Sequence, residues 1–155
     1  MKSKTLLVTI ALCFATGTVC FAANANMGTW KLNEKKSKIA HGMGKNMTVV
    51  YSSALFQTKV TVDGIDAHGK PTHNEWTGMF DGKDHPVTGS ANEDTRAYRK
   101  IDDRTLEFTS KKAGKVTIMG RVVVSPDGKT RTVTTTAMGP NGKKMTSKAV
   151  YDKAG

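Results

Sequence analysis

Cysteine is almost absent from this sequence, and its placement argues against disulfide chemistry. Cys13 and Cys20 are the only two cysteines, and both lie in the first 25 of the 155 residues. There two lysines precede an apolar run that ends in small residues, a pattern typical of a secretory signal peptide cleaved after Ala25. The mature chain, residues 26–155, would then form no disulfide, although we expect it to be periplasmic or secreted. Threonine and glycine interrupt the apolar run, which disfavours the alternative of an uncleaved membrane anchor.

Helical periodicity is also scarce outside this N-terminal run. Short stretches rich in valine, threonine and aromatic residues alternate instead with the turn sequences "DAHGK", "DGK", "DDR", "KAGK", "SPDGK" and "GPNGK". Such turns accept positive φ angles and connect neighbouring antiparallel strands. The sequence therefore predicts one all-β domain of nine or ten strands, of which the fifth is short enough to be a bend.

A closed antiparallel up-and-down β-barrel of eight to ten strands is the favoured architecture, because closure removes unpaired strand edges. A β-sandwich is the alternative. Alternation of apolar and polar residues places Val116 and Ile118 on one face of their strand, and Trp76 and Phe108 on the inner face of theirs. The segment "TRTVTTTAM" is mostly threonine on both faces. It is expected to be an edge strand or to line an interior that is not wholly apolar.

Motifs for catalysis, metal binding and base stacking are lacking. We find no nucleophile elbow, no paired-carboxylate signature and no phosphate loop that opens a helix. His68 and His73 flank one turn near Asp66 and Glu75, which is the nearest approach to a zinc or copper site, and surface imidazoles are the preferred interpretation. Three tyrosines and two tryptophans offer little for stacking on nucleic acid. We therefore expect no enzyme, no cofactor, no metal site and no nucleic-acid partner.

Negative charge is the scarcer sign. Without Lys2 and Lys4, 22 basic residues stand against 13 acidic ones, a net charge of +9 for the mature chain. If every connection is a hairpin, the loop after the first strand shares one barrel end with four other turns. Ten lysines and four acidic residues fall at that end, for a net charge of +6, and the opposite end carries −2. The lysines are Lys35, Lys36, Lys38, Lys45, Lys70, Lys111, Lys112, Lys115, Lys143 and Lys144.

Two functions are compatible with this charge distribution, besides the plain one of keeping turns soluble. The first is a carrier of a small amphipathic or anionic ligand, an acyl or aromatic carboxylate. Its tail would lie against Trp76 and Phe108, and its head group near Lys36, Lys112 and Lys144 at a lysine-rich mouth. The alternative is a non-enzymatic interaction module that adheres through its basic end to a protein or an anionic envelope polymer. In either case we expect a monomer that is not an integral membrane protein after cleavage.

Five segments resemble a family of small exported bacterial proteins described as lipocalin-like, which have no established biochemical function. They are "GTWKLNEKKSK", "DGKDHPVTG", "IDDRTLEF", "GRVVVSPDGKTRTVTT" and "VYDK". Gly28 and Trp30 match the lipocalin Gly-x-Trp, whose indole closes the narrow barrel end beneath a basic residue from the last strands. The candidates for that residue are Arg121, which we assign, and Arg131. The lipocalin Thr-Asp-Tyr motif is absent, and a ten-strand barrel similar to fatty-acid-binding proteins fits equally well.

Overall fold

Ten antiparallel strands and one short 3₁₀ helix, Glu34–Lys36, make up the computed structural model, which describes residues 24–139 and 141–155. The predicted signal peptide falls mainly on residues 1–23, outside the described part. Within that part, no helix is long and apolar enough to cross a membrane. The strands are β1 Gly28–Leu32, β2 Lys45–Ala54, β3 Gln57–Ile65, β4 Pro71–Gly78, β5 Asp81–Thr88, β6 Thr95–Lys100, β7 Thr105–Lys112, β8 Lys115–Val124, β9 Thr130–Met138 and β10 Lys144–Ala154.

The strands close into an up-and-down barrel. Each strand pairs with its neighbours in sequence, and β1 pairs with β10 through partners such as Trp30 and Lys153. This confirms the predicted barrel, with ten strands, and the sandwich alternative is wrong. The fifth strand is a full strand, but its ladder with β4 contains only the pairs Glu75–Thr88 and Trp76–Val87.

Because every connection joins neighbouring strands, the connections alternate between the two ends of the barrel. We call the end with the connections after β1, β3, β5, β7 and β9 the loop end; these connections are residues 33–44, 66–70, 89–94, 113–114 and 139–143. The other end, with the connections after β2, β4, β6 and β8, is the turn end. The predicted grouping of the long first loop with four other turns at one end follows from this order.

Aromatic side chains fill the half of the barrel near the turn end. Trp76 makes an edge-on contact with Tyr98, with ring centroids 4.8 Å apart, and stacks on Phe80 at 6.1 Å. The indole N–H groups are satisfied, since Trp76 donates to the carbonyl of Arg96 and Trp30 to that of Asn26, both at 2.8 Å. Fully buried tryptophans with bonded N–H groups indicate a packed layer at this level.

One inward assignment is wrong. The ladder between β7 and β8 shifts register after Ser110, so that Ser110 pairs with Ile118 but Lys111 pairs with Val116. Thr117 is the extra residue of this irregularity, and it reverses the alternation that the sequence suggests. Val116 is consequently 48% exposed beside a lysine, whereas Ile118 remains on the inner face.

Gly120 lets an aromatic ring lie flat against the inner wall. It is the cross-strand partner of Phe108, and a Cβ atom built at Gly120 would lie 2.3 Å from the ring carbon Cε1 of Phe108. No side chain fits at that distance without movement of the ring.

We predict that Gly120→Ala destabilises the protein by about 1–3 kcal/mol, because the added methyl group displaces Phe108. Urea denaturation measures the free energy of unfolding. Val123→Ala, at an exposed position of the same strand, is the control and should change stability by no more than about 0.5 kcal/mol. A Gly120→Ala protein as stable as the wild type would show that the ring does not occupy this position.

Candidate functional site

A cavity of about 580 Å³ occupies the barrel at its loop end. Its walls combine apolar side chains from strands and loops with polar residues that include those of β4 and β9. The apolar residues include Ile39, Met43, Ile65, Ile118, Val133 and Ala149. The cavity extends to exposed loop residues at positions 67–68 and 91–92, and a site of this size can accommodate a small organic molecule.

A smaller inner chamber of about 100 Å³ lies deeper in the barrel. It shares Phe108, Ile118 and Thr135 with the outer cavity, and it reaches Val122 and Arg131 in the buried layer. The shared residues make the two spaces neighbours along the barrel axis. Side-chain hydroxyls of tyrosine, serine and threonine give the chamber a lining that is partly polar.

A buried ion pair forms one wall of both spaces. Arg96 and Glu93 are 6% and 8% exposed, and the guanidinium makes two hydrogen bonds to the carboxylate, one of them from Nε at 3.0 Å. Arg96 also donates to the Asn74 amide oxygen at 3.2 Å and to the Tyr98 hydroxyl at 3.4 Å. The guanidinium of Arg96 is therefore well supplied with acceptors and has a counter-ion.

Arg131 is buried, and it forms no ion pair with any residue in the ranges 24–139 and 141–155. It is 2% exposed, and its Nε and Nη1 atoms have no hydrogen-bond partner among the described residues. Its guanidinium carbon lies 5.1 Å from the ring centres of Trp30 and Tyr51 and 4.8 Å from that of Tyr151. Arg131 thus lies over Trp30, together with Lys153 of β10, whose Nζ is 5.2 Å from the ring centre, and Arg121 does not.

The assignment of Arg121 is wrong because its side chain points out of the barrel. Neighbouring residues Val122 and Val124 are buried, so alternation places Arg121 on the outer face, where its side chain is 55% exposed. There its Nη1 atom lies 3.6 Å from the Glu107 carboxylate. Gly28 takes the position expected of it, at the start of β1 with a positive φ of 107°.

The phenol of Tyr151 does not act as a counter-ion for Arg131. Burial raises the pKa of Tyr151 to about 12, although the nearby Arg131 acts in the opposite direction. The Tyr151 phenol is therefore neutral near pH 7. An unpaired buried charge costs several kcal/mol, and a cation–π contact returns only about 0.5–2 kcal/mol.

Of the predicted ligand contacts, the structure brings only Phe108 to the cavity. Trp76 is 1% exposed inside the aromatic layer and lines neither space. Lys36, Lys112 and Lys144 are exposed at the loop end, in the 3₁₀ helix, at the end of β7 and at the start of β10. Among residues 24–139 and 141–155, no lysine lines either space.

Sequence reasoning missed Arg96 and Glu93 inside the barrel, and it named Arg131 only as the alternative to Arg121. The alternation of residues along each strand could have located both arginines on the inner face, because Arg96 shares a face with Tyr98, and Arg131 shares one with Val133 and Thr135. The threonine-rich β9 is not an edge, and it lines an interior that is partly polar, which was one of its two predicted roles. The pairing of Glu93 with Arg96 could not be predicted, because Glu93 belongs to a loop whose path the strand pattern does not define.

The histidines near the 66–70 turn do not meet. His73 lies on the outer surface, with Nδ1 2.7 Å from the Asp63 carboxylate, and this hydrogen bond raises its pKa. His68 instead donates its backbone N–H to Asp66. Within the described ranges, no group of three or more histidine, cysteine, aspartate or glutamate side chains could hold a metal ion.

Comparison with known proteins adds no assignment: no protein-family model matches the chain, and no curated protein matches its sequence. The resemblance to lipocalin-like proteins stays a prediction.

We predict that Glu93→Gln destabilises the protein by about 3 kcal/mol or more, because it leaves the buried Arg96 charge without its counter-ion. Thermal and urea denaturation followed by circular dichroism measure the loss. Glu107→Gln is the matched control, since it removes a carboxylate from the surface pairs with Arg99 and Arg121. Exposed pairs contribute about 1 kcal/mol or less. Equal effects of the two substitutions would contradict the description of the inner pair.

Proposed function

We propose that the protein is an exported carrier that holds a small anionic or amphipathic molecule inside its barrel. The observation that supports this most directly is the cavity of about 580 Å³ at the loop end. An interaction module that uses only its outer surface has no need of such a space. We therefore favour the carrier over a module that adheres through its basic end.

The lining suits a molecule with both apolar and polar parts. Ile65, Ile118 and Val133 offer apolar surface, and Thr72 and Asn74 offer hydrogen-bonding groups. Burying the apolar part of a ligand against such walls contributes roughly 25 cal/mol per Å². Polar groups at defined places then determine its orientation.

The lysines at the loop end have a different role from the one their spacing suggests. Lys36, Lys112 and Lys144 do not line the cavity, so they act on the ligand from a distance. Positive charge around an entrance raises the association rate of an anion, and dissolved salt screens this effect. Steering, rather than contact, is the contribution we assign to them.

We predict that Thr135→Trp blocks binding of a dansyl-labelled fatty acid, because residue 135 lines both spaces and an indole fills much of the available volume. Fluorescence titration should show a loss of affinity of about tenfold or more, as expected for the loss of roughly 1.4 kcal/mol of binding free energy.

Thr134→Trp is the matched control, since Thr134 is the exposed neighbour on the same strand. It should bind the probe as the wild type does. Equal affinity of Thr135→Trp and Thr134→Trp would place the probe outside the barrel and favour the interaction module. Thermal denaturation of both variants verifies that each is folded.

We further predict that the triple substitution Lys36→Glu, Lys112→Glu and Lys144→Glu slows association of the anionic probe. Stopped-flow fluorescence measures the rate, and high salt should abolish the difference from the wild type. The control is Lys83→Glu, Arg104→Glu and Lys129→Glu, which changes the net charge equally at the turn end, where all three residues are exposed. Equal slowing by both triple variants would remove the special role of the loop end.

A further inference from the structure

We propose that Arg131 is the anion-binding residue of this cavity, and that the ligand enters head first. Its carboxylate would occupy the inner chamber and pair with the Arg131 guanidinium, while its apolar part fills the outer cavity. This inference rests on the proposed carrier function and adds the ligand's charge, its orientation and the residue that recognises it. It reverses the orientation expected from the lysine-rich mouth.

The first observation is an imbalance of charge around the inner chamber. Three charged residues line it: Arg96, Glu93 and Arg131. Arg96 and Glu93 neutralise each other through two hydrogen bonds. Arg131 keeps its full positive charge. One negative charge placed in the chamber would balance it.

The second observation is that Arg131 has unused hydrogen-bond donors. Trp30, Tyr51 and Tyr151 surround the guanidinium at 4.8–5.1 Å. These rings favour a cation nearby, but ring carbons are poor acceptors for N–H groups. In the part of the chain that the structure describes, Nε and Nη1 have no hydrogen-bond partner. A guanidinium presents its donors in a planar fork that matches the two oxygens of a carboxylate.

The third observation is the division of the space into two parts. A chamber of about 100 Å³ has room for a carboxylate head group or for a few water molecules, but not for a whole amphipathic ligand. The outer cavity is several times larger, and Ile39, Met43 and Ile65 line it but not the chamber. A polar head in the chamber and an apolar tail above it match the two linings.

The test compares ligands that differ only in charge. Decanoate and decanol, and as an aromatic pair naphthoate and naphthylmethanol, are titrated against the wild-type protein by displacement of the dansyl probe. We expect at least one of the two carboxylates to bind about 10- to 100-fold more tightly than its alcohol, the range for a hydrogen bond to a charged group. Arg131→Met should reduce that preference to within about twofold, and Arg131→Lys should retain part of it.

A second measurement does not depend on how the variants fold. In nitrogen-labelled wild-type protein, the Nε–H resonance of Arg131, assigned with the Arg131→Lys variant, should shift on addition of the carboxylate and not on addition of the alcohol. Circular dichroism and thermal denaturation establish whether Arg131→Met is folded. If it is not, the ligand pairs and this resonance still decide the question.

The outcomes separate the two proposals. If carboxylates and alcohols bind equally and Arg131→Met changes nothing, the anion-binding role is wrong and the carrier function stands. If the preference for carboxylates disappears in the triple loop-end variant but survives in Arg131→Met, the head group lies at the lysines instead. If the dansyl probe and all four compounds fail to bind, the carrier function is wrong and the role of Arg131 falls with it.

Discussion

Closure of the sheet between β1 and β10 is the constraint on which the rest of this structure depends. Once ten strands are joined in a ring, the circumference is fixed and the interior must be either filled or left open. Eight strands enclose a space that side chains can fill, and ten enclose more. Here Trp30, Trp76 and the rings beside them fill the turn end, and smaller residues at the loop end leave the cavity. The empty space is thus a consequence of strand number as much as of local sequence.

The polar groups inside the barrel follow from the same geometry. A closed barrel turns every second residue of each strand inward, so Arg96 on β6 and Arg131 on β9 are both withdrawn from water. Arg96 is offset by Glu93, which arrives from a loop and so requires the 89–94 connection to fold inward. The guanidinium of Arg131 lies against the rings of Trp30, Tyr51 and Tyr151. The stability lost by burying this charge is the physical reason to look for an anion in the chamber.

The sequence determined the fold more fully than the site. Recurring glycine, asparagine and aspartate in short turns indicated the number and order of strands, and Gly28 with Trp30 marked the first one correctly. Alternation failed at Val116, because the irregularity at Thr117 cannot be read from the pattern. The resemblance predicted a basic residue over Trp30 but did not say which of the last strands provides it. Arg121, the residue we assigned, faces outward. The lysines lie at one end of the barrel, as predicted. Whether a lysine side chain contacts a ligand depends on the direction in which it points, and the spacing of residues in the sequence does not determine that direction.

Native mass spectrometry of the protein purified from the cells that naturally produce it is the most direct test of the central claim, which is that the barrel carries an anionic molecule. We expect a fraction of the protein to retain an added mass, and gentle dissociation to release a small acidic compound. The same measurement on Thr135→Trp should show the chain alone. Wild-type protein that carries no added mass, and gains none when carboxylates are supplied, would contradict the account.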